Sequence, residues 1–118
     1  SDMLFNGVGN DTVDGGAGSD TLWAGGGDDI LTGGDGVDTF TFGATSGNDT
    51  ITDFDLSEDI LDLSFSGTGF ESASDMQAAA TATTQGDQTG VLIDLGDGES
   101  VFLVGLTVSD LGSINLTL

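Results

Sequence analysis

The sequence predicts an all-β fold: a parallel β-roll, meaning a flattened right-handed β-helix, closed by a C-terminal cap of one short helix and a β-hairpin. Three observations predict it. Residues 6–41 are four tandem nine-residue units, NGVGNDTVD, GGAGSDTLW, AGGGDDILT and GGDGVDTFT. Each unit closes on a triplet that alternates like a strand and is too short for a helix. After residue 63 the texture changes, because only Glu71, Asp75, Asp87, Asp94, Asp97, Glu99 and Asp110 of the 21 acids lie beyond it.

Within the units the sixth position is Asp11, Asp20, Asp29 and Asp38, and the eighth is Val13, Leu22, Leu31 and Phe40. Glycine at positions one, two and four permits backbone angles closed to other residues and leaves carbonyl oxygens unshielded. Together with the carboxylate, such a turn presents oxygen donors alone, the set a hard cation takes. The closing triplet points Val13, Leu22, Leu31 and Phe40 inward and its flanking residues outward. One unit is therefore half a coil. Two units make a coil of eighteen residues, which stacks Asp11 on Asp29 and Asp20 on Asp38. Stacked carboxylates repel one another unless a cation lies between them. Calcium takes about six to eight oxygens at about 2.3–2.6 Å, which two such Asp side chains and several carbonyls can supply.

The composition agrees. Twenty-one acids face no Lys, Arg or His, a formal charge of −21 in 118 residues. That charge excludes electrostatic binding to nucleic acid or to an anionic membrane surface. Cysteine is absent, so neither a disulfide nor a thiolate site can form, and zinc lacks its preferred sulfur and imidazole ligands. The ion expected is Ca2+, in several copies. With 36% hydrophobic residues the chain can build one modest core, a single structural domain to which bound ions add stability. Without ions, the charge and 21 glycines predict an expanded or molten chain. No stretch approaches the roughly 18 apolar residues of a membrane span, and no basic segment precedes an apolar run at the N-terminus. Membrane insertion is not expected, and any export signal is expected to be of another kind than a cleaved N-terminal one or to lie on a part outside this sequence.

Along the chain, Met3, Leu4 and Phe5 lead into the first turn as a strand or as a plug for the open end of the roll. Asn6 and Ala24 replace the first glycine of their units, which is tolerable where that position acts through its carbonyl. Asp28 and Asp35 fall at variable turn positions, where a solvated surface acid is the expected reading ahead of a direct ligand. After Phe40 the spacing loosens: Asp49-Thr50-Ile51 is the next match and Asp59-Ile60-Leu61 the one after. Phe42, Gly43 and Ala44 read as an insertion before the half-matched turn Thr45-Ser46-Gly47-Asn48-Asp49. The segment ITDFDLSEDILDLS sets acids around Ile51, Phe54, Leu56, Leu61 and Leu63, a closing coil with a modified calcium site. The roll thus covers 1–63.

The cap covers 64–118. Ser74 with Gln77 forms a capping box, which predicts a helix over about 75–83 that ends near Gly86. GVLIDLGDGESVFLVGL reads as a hairpin over about 90–104 with its turn at Gly96-Asp97-Gly98. Val91, Ile93, Leu95, Val101 and Leu103 share a face that can cover the open end of the roll. The tail offers Ser109 as the cap of one helical turn and then a strand at 115–118.

GGxGxDxUx units followed by GNDTITDFDLSEDILDLS resemble the C-terminal repeats-in-toxin modules (RTX, haemolysin-type) of type I secreted bacterial proteins. Serralysin-type metalloproteases and mannuronan C5-epimerase R-modules show the nearest overall pattern. The resemblance is strong over 6–63 and weaker over 64–118. It implies a calcium-loaded parallel β-roll in which each ion bridges alternate turns, pairing Asp11 with Asp29, Asp20 with Asp38, and Asp29 with Asp49. It also implies carbonyl ligands from Gly7, Gly9, Gly16, Gly18, Gly25, Gly27, Gly34 and Gly36, and widens the candidate set to Ala24, Gly26, Gly33, Asp35, Gly47, Asp53 and Asp59. An uncleaved C-terminal secretion signal is implied for the tail, beside the plainer reading of a last cap strand; both can hold.

The function expected is that of a non-catalytic, calcium-binding C-terminal module of a larger secreted bacterial protein. Its partners would be calcium ions, the attached N-terminal domain and the type I secretion machinery, with the module itself monomeric and extracellular or bound at the cell surface. Catalysis by paired carboxylates is disfavoured, since the repeat register accounts for nearly every acid before residue 63 and no His, Cys, Lys or Arg is present. The alternative is a carbohydrate-binding or adhesin-type surface module, suggested by outward Thr12, Thr21, Thr32, Thr39, Thr41, Thr50, Thr52 and Trp23. Threonine is also a good exposed strand former, and that is the expected reading. A groove around Trp23, Phe40 and Phe42 would favour a glycan; their burial would weaken it.

Overall fold

The computed structural model describes residues 3–5, 7–43, 47–63, 73–96 and 99–117. The readings placed on Asn6, on 44–46, on the start of the cap at 64–72, on the Asp97-Gly98 turn and on Leu118 lie outside the described residues.

Seven short strands build the roll: β1 (Met3–Phe5), β2 (Thr12–Asp14), β3 (Thr21–Ala24), β4 (Ile30–Thr32), β5 (Thr39–Phe42), β6 (Asn48–Ile51) and β7 (Ile60–Asp62). Odd and even strands go to opposite sheets, as half-coils must. One sheet runs β1-β3-β5-β7 and the other β2-β4-β6, all parallel. Leu4 lies beside Leu22, Leu22 beside Phe40 and Phe40 beside Leu61, while Val13, Leu31 and Ile51 line the facing sheet. Leu22, Leu31, Phe40, Ile51 and Leu61 are fully buried, so the eighth position of each unit makes the core. Leu4 and Val13, in the first coil, are only partly buried.

Several details differ from the sequence expectation. Phe42 is no insertion; it extends β5 and is buried, paired with Ala24. Thr41, expected outside, is buried. The helix is α1 (Ala73–Ala78) alone, and Ala80–Gln85, expected as its second half, is strand β8. The run Ala-Thr-Ala-Thr-Thr-Gln alternates with period two and is rich in β-branched threonine, which favours a strand wherever a partner lies beside it. That partner is β9 (Gln88–Gly96), antiparallel to β8 through a turn that uses Gly86 at φ 62°. Ser74 lies inside α1, and the Gln77 Nε2 donates to the Val108 carbonyl at 2.7 Å, tying the helix to the tail where a capping box was expected.

The cap continues the roll. Strand β10 (Glu99–Val104) pairs antiparallel with β9 on one side and parallel with β6 on the other, setting Val101 opposite Asp49 and Leu103 opposite Ile51. Strand β11 (Asn115–Thr117) pairs parallel with β7, Leu116 beside Leu61. The two complete a last coil whose interior is Val91, Ile93, Leu95, Val101, Leu103, Met76, Leu111 and Ile114. Before β11 comes a 3-10 helix (Ser109–Ser113), whose entry is held by Thr107 and Asp110: the Thr107 N–H donates to Asp110 Oδ2 and the Asp110 N–H to Thr107 Oγ1. Ser109, expected as its cap, lies inside it. No helix among the described residues is long and apolar enough to cross a membrane.

Candidate metal centre

Each unit's Asp stands where its glycine turn meets its strand, so coil stacking puts these side chains in two columns, one on each side of the roll. Within the columns Asp29, Asp49, Asp38 and Asp59 each reach back to the backbone of the coil before. The Asp11 N–H donates to Asp29 Oδ1 at 2.8 Å, and the Asp29 N–H to Asp49 Oδ1 at 2.9 Å. Opposite, the Asp20 N–H donates to Asp38 Oδ1 at 3.0 Å, and the Asp38 N–H to Asp59 Oδ1 at 2.9 Å. The rungs lie 18, 20, 18 and 21 residues apart, so the loosened spacing after Phe40 lengthens the turns and keeps the columns intact. Asp20, Asp29, Asp38, Asp49 and Asp59 are buried and Asp11 is half-buried.

A buried carboxylate needs compensation at both oxygens. Asp29 Oδ2 and Asp38 Oδ2 are buried and have no hydrogen-bond partner. Burial accordingly pushes the Asp38 carboxyl up to about 6, against the Asp20 N–H that lowers it and with the help of repulsion from Asp59, Asp20 and Asp53. Burial also raises Asp59, less the effect of N–H groups from Asp38 and Asp55. These are groups that a nearby positive charge would keep ionised, and no basic side chain exists to supply it.

The glycine turns add the remaining oxygens. A Cβ at Gly34 would strike the carbonyl oxygen of Gly16, one at Gly27 that of Gly9, and one at Gly47 that of Gly27; at Gly36 it would stand 2.6 Å from the Gly18 oxygen. The carbonyls of Gly9, Gly16, Gly18 and Gly27 thus face the following coil, and no side chain fits between. Gly33 is glycine for a second reason, since a Cβ there would collide with the Asp38 carboxylate itself. Among the described residues no three acidic side chains gather into a ready-made chelate. Single-file carboxylates between carbonyl-lined turns nevertheless fit a hard cation: the donors are all oxygen, two carboxylate oxygens are uncompensated, and the missing coordination can come from backbone.

Other expected ligands lie elsewhere. Asp35 is exposed, apart from the columns. Ala24 ends β3 with its methyl in the core. Gly7 has open space where a side chain would begin, and Gly25 and Gly26 are half-buried. Asp53 is a clamp on an earlier turn, its Oδ1 accepting the Gly33 N–H at 2.9 Å and its Oδ2 the Gly34 N–H at 2.8 Å. Asp28 is exposed, as a surface acid would be, and takes part in a second ladder outside the first. The Asp28 N–H donates to Asn10 Oδ1, the Asn48 N–H to Asp28 Oδ1, and the Ser100 hydroxyl to Asn48 Oδ1. The recurrence of Asn or Asp just before the rung at Asn10, Asp28 and Asn48 was the available signal.

The RTX calcium-binding nonapeptide repeat family matches residues 5–40, in 4 copies. No curated protein matches the chain significantly. Solved structures do match, among them the solution structure of the AlgE6R3 subunit from the Azotobacter vinelandii mannuronan C5-epimerase, at 30% identity and a TM-score of 0.65. The match covers 98% of this chain and 77% of that one.

Proposed function

The chain belongs to the RTX family of calcium-binding nonapeptide-repeat modules, and from that membership we propose that it is a folding switch, a non-catalytic module whose roll is completed by Ca2+. The observation that carries this reading is the pair of uncompensated buried oxygens, Asp29 Oδ2 and Asp38 Oδ2, in a chain without a single basic side chain. Calcium supplies the missing positive charge and accepts oxygen donors from both sides of a coil boundary. Asp11, Asp20, Asp29, Asp38 and Asp49 would hold it from the columns, with the carbonyls of Gly9, Gly16, Gly18 and Gly27 facing it from the turns. The chain's own part is to present these oxygens in register, and the N–H groups of Asp11, Asp20 and Asp29 fix the carboxylates for that purpose.

Since the ligands come together only when the coils stack, ion binding and folding are one equilibrium, and free calcium shifts it toward the native state by mass action. At the low calcium of a cytosol the anionic chain stays loose enough for export; outside, it folds and stabilises the domain attached ahead of it. Export through a type I system, with the tail as an uncleaved signal, and catalysis confined to another domain of the parent protein belong to the same proposal. A glycan-binding role receives no support: Phe40 and Phe42 are buried and Trp23 stacks on Phe5 with ring centroids 5.6 Å apart, so the three aromatics form no groove.

Calcium titrations of two variants test the assignment. Asp29→Ala removes a rung that sits between two others and should raise the calcium needed for half-folding at least tenfold. Asp35→Ala changes an exposed turn residue and should leave the midpoint within about twofold. Equal effects would overturn the register of the columns.

A further inference from the structure

Asp59 occupies a rung but differs from those before it. Its Oδ1 accepts the Asp38 N–H, as the repeat requires, and its Oδ2 accepts the Asp55 N–H at 2.8 Å. Asp29 and Asp38 leave the corresponding oxygen without a partner. The turn that makes the difference has no glycine. Asp53-Phe54-Asp55-Leu56-Ser57-Glu58 winds into a tight turn in which the Asp59 N–H returns to the Asp55 carbonyl at 2.8 Å, and Asp55 Oδ1 accepts the N–H and hydroxyl of Ser57. Phe54 is buried 5.8 Å from the Phe40 ring, so the turn puts a side chain into the core, whereas Val8 and Val37 of the earlier glycine turns are exposed. At the level of the rungs the next coil offers an apolar residue and no acid. Asn115 lies opposite Ile60, which places buried Ile114 at the level of Asp59, just as Val101 lies opposite Asp49 in the other column.

Resting on the calcium reading above, we propose that Asp59 is the rung at which the column passes from cation to protein: its carboxylate is a structural cap for the turn 53–59, satisfied by backbone N–H groups, and it ligates no ion. The metal-dependent stack then ends at Asp38 in one column and Asp49 in the other. The coil beyond is held by hydrogen bonds and by the apolar faces of β9, β10 and β11.

Calcium counting by equilibrium dialysis, on the whole chain and on Asp59→Asn and Asp38→Asn, tests this. Asp59→Asn should bind as many ions as the parent chain, with a midpoint within about threefold, and should melt lower in saturating calcium. Asp38→Asn should lose at least one ion. Loss of an ion from Asp59→Asn would overturn the proposal while leaving the calcium reading intact; a parent chain that binds none would overturn the calcium reading itself. Amide exchange on the unmodified, calcium-loaded chain gives an answer even where a variant misfolds. The Asp55 N–H should be protected, and rapid exchange there would show that Asp59 Oδ2 has been drawn to an ion.

Discussion

Burial pushes the Asp38 carboxyl up to about 6 from 3.8, so the calcium-free folded chain holds this proton more tightly than the unfolded chain does. The raised value makes its contribution to stability greatest below about pH 4, and that contribution is lost as pH rises through about 6; the raised Asp59 acts in the same direction. With calcium the slope should reverse, since protons compete with the ion for the same oxygens. Since the chain without calcium is expanded, the test is made with calcium saturating: melting temperatures there should rise between pH 4 and 7, and a fall over that range would mean that the columns hold no ion. The rungs themselves were legible because Asp and its apolar neighbour repeat every nine residues from Asp11 to Asp38. The same register extends back to Asp2-Met3-Leu4, nine residues before Asp11, and of the two readings open for Met3–Phe5, strand or plug, the strand is the one formed. What the sequence did not carry is the use of each oxygen. Asp29 and Asp59 share the Asp-x-apolar pattern, and only the local turn decides that one keeps an uncompensated oxygen while the other takes a second N–H.

At the scale of elements, periodicity spoke clearly where each strand pairs with the next coil and poorly where pairing is distant. Alternation located the buried face Val91, Ile93, Leu95, Val101 and Leu103, yet nothing in it says that β10 lies parallel to β6, with the Ser100 hydroxyl donating to Asn48 Oδ1 across 52 residues. The segment Ala80–Gln85 shows the converse: its alanines suit a helix, and the presence of β9 made it a strand. Since the cap forms the final coil, core truncations there should weaken the whole roll. Leu103→Ala, at a fully buried site beside Ile51, should cost about 2–5 kcal/mol in urea unfolding with calcium saturating. A loss below about 1 kcal/mol would indicate that the roll stands without its cap.

The whole molecule combines a solenoid, in which each coil is stabilised chiefly by its neighbours, with a charge of −21 that opposes compaction throughout. The folded chain is nearly isometric, 32 × 31 × 28 Å, with a Cα radius of gyration of 12.7 Å. An unfolded chain of this length has a radius of about 35 Å, so the two states are far apart in scattering. Small-angle X-ray scattering of the isolated chain, in EGTA and then through a calcium titration with magnesium at matched ionic strength as control, tests the folding switch most directly. The account predicts an expanded chain in EGTA and in magnesium, and a cooperative collapse to the compact radius with calcium alone. A chain already compact in EGTA would contradict it, and the columns of aspartates would then belong to a static scaffold.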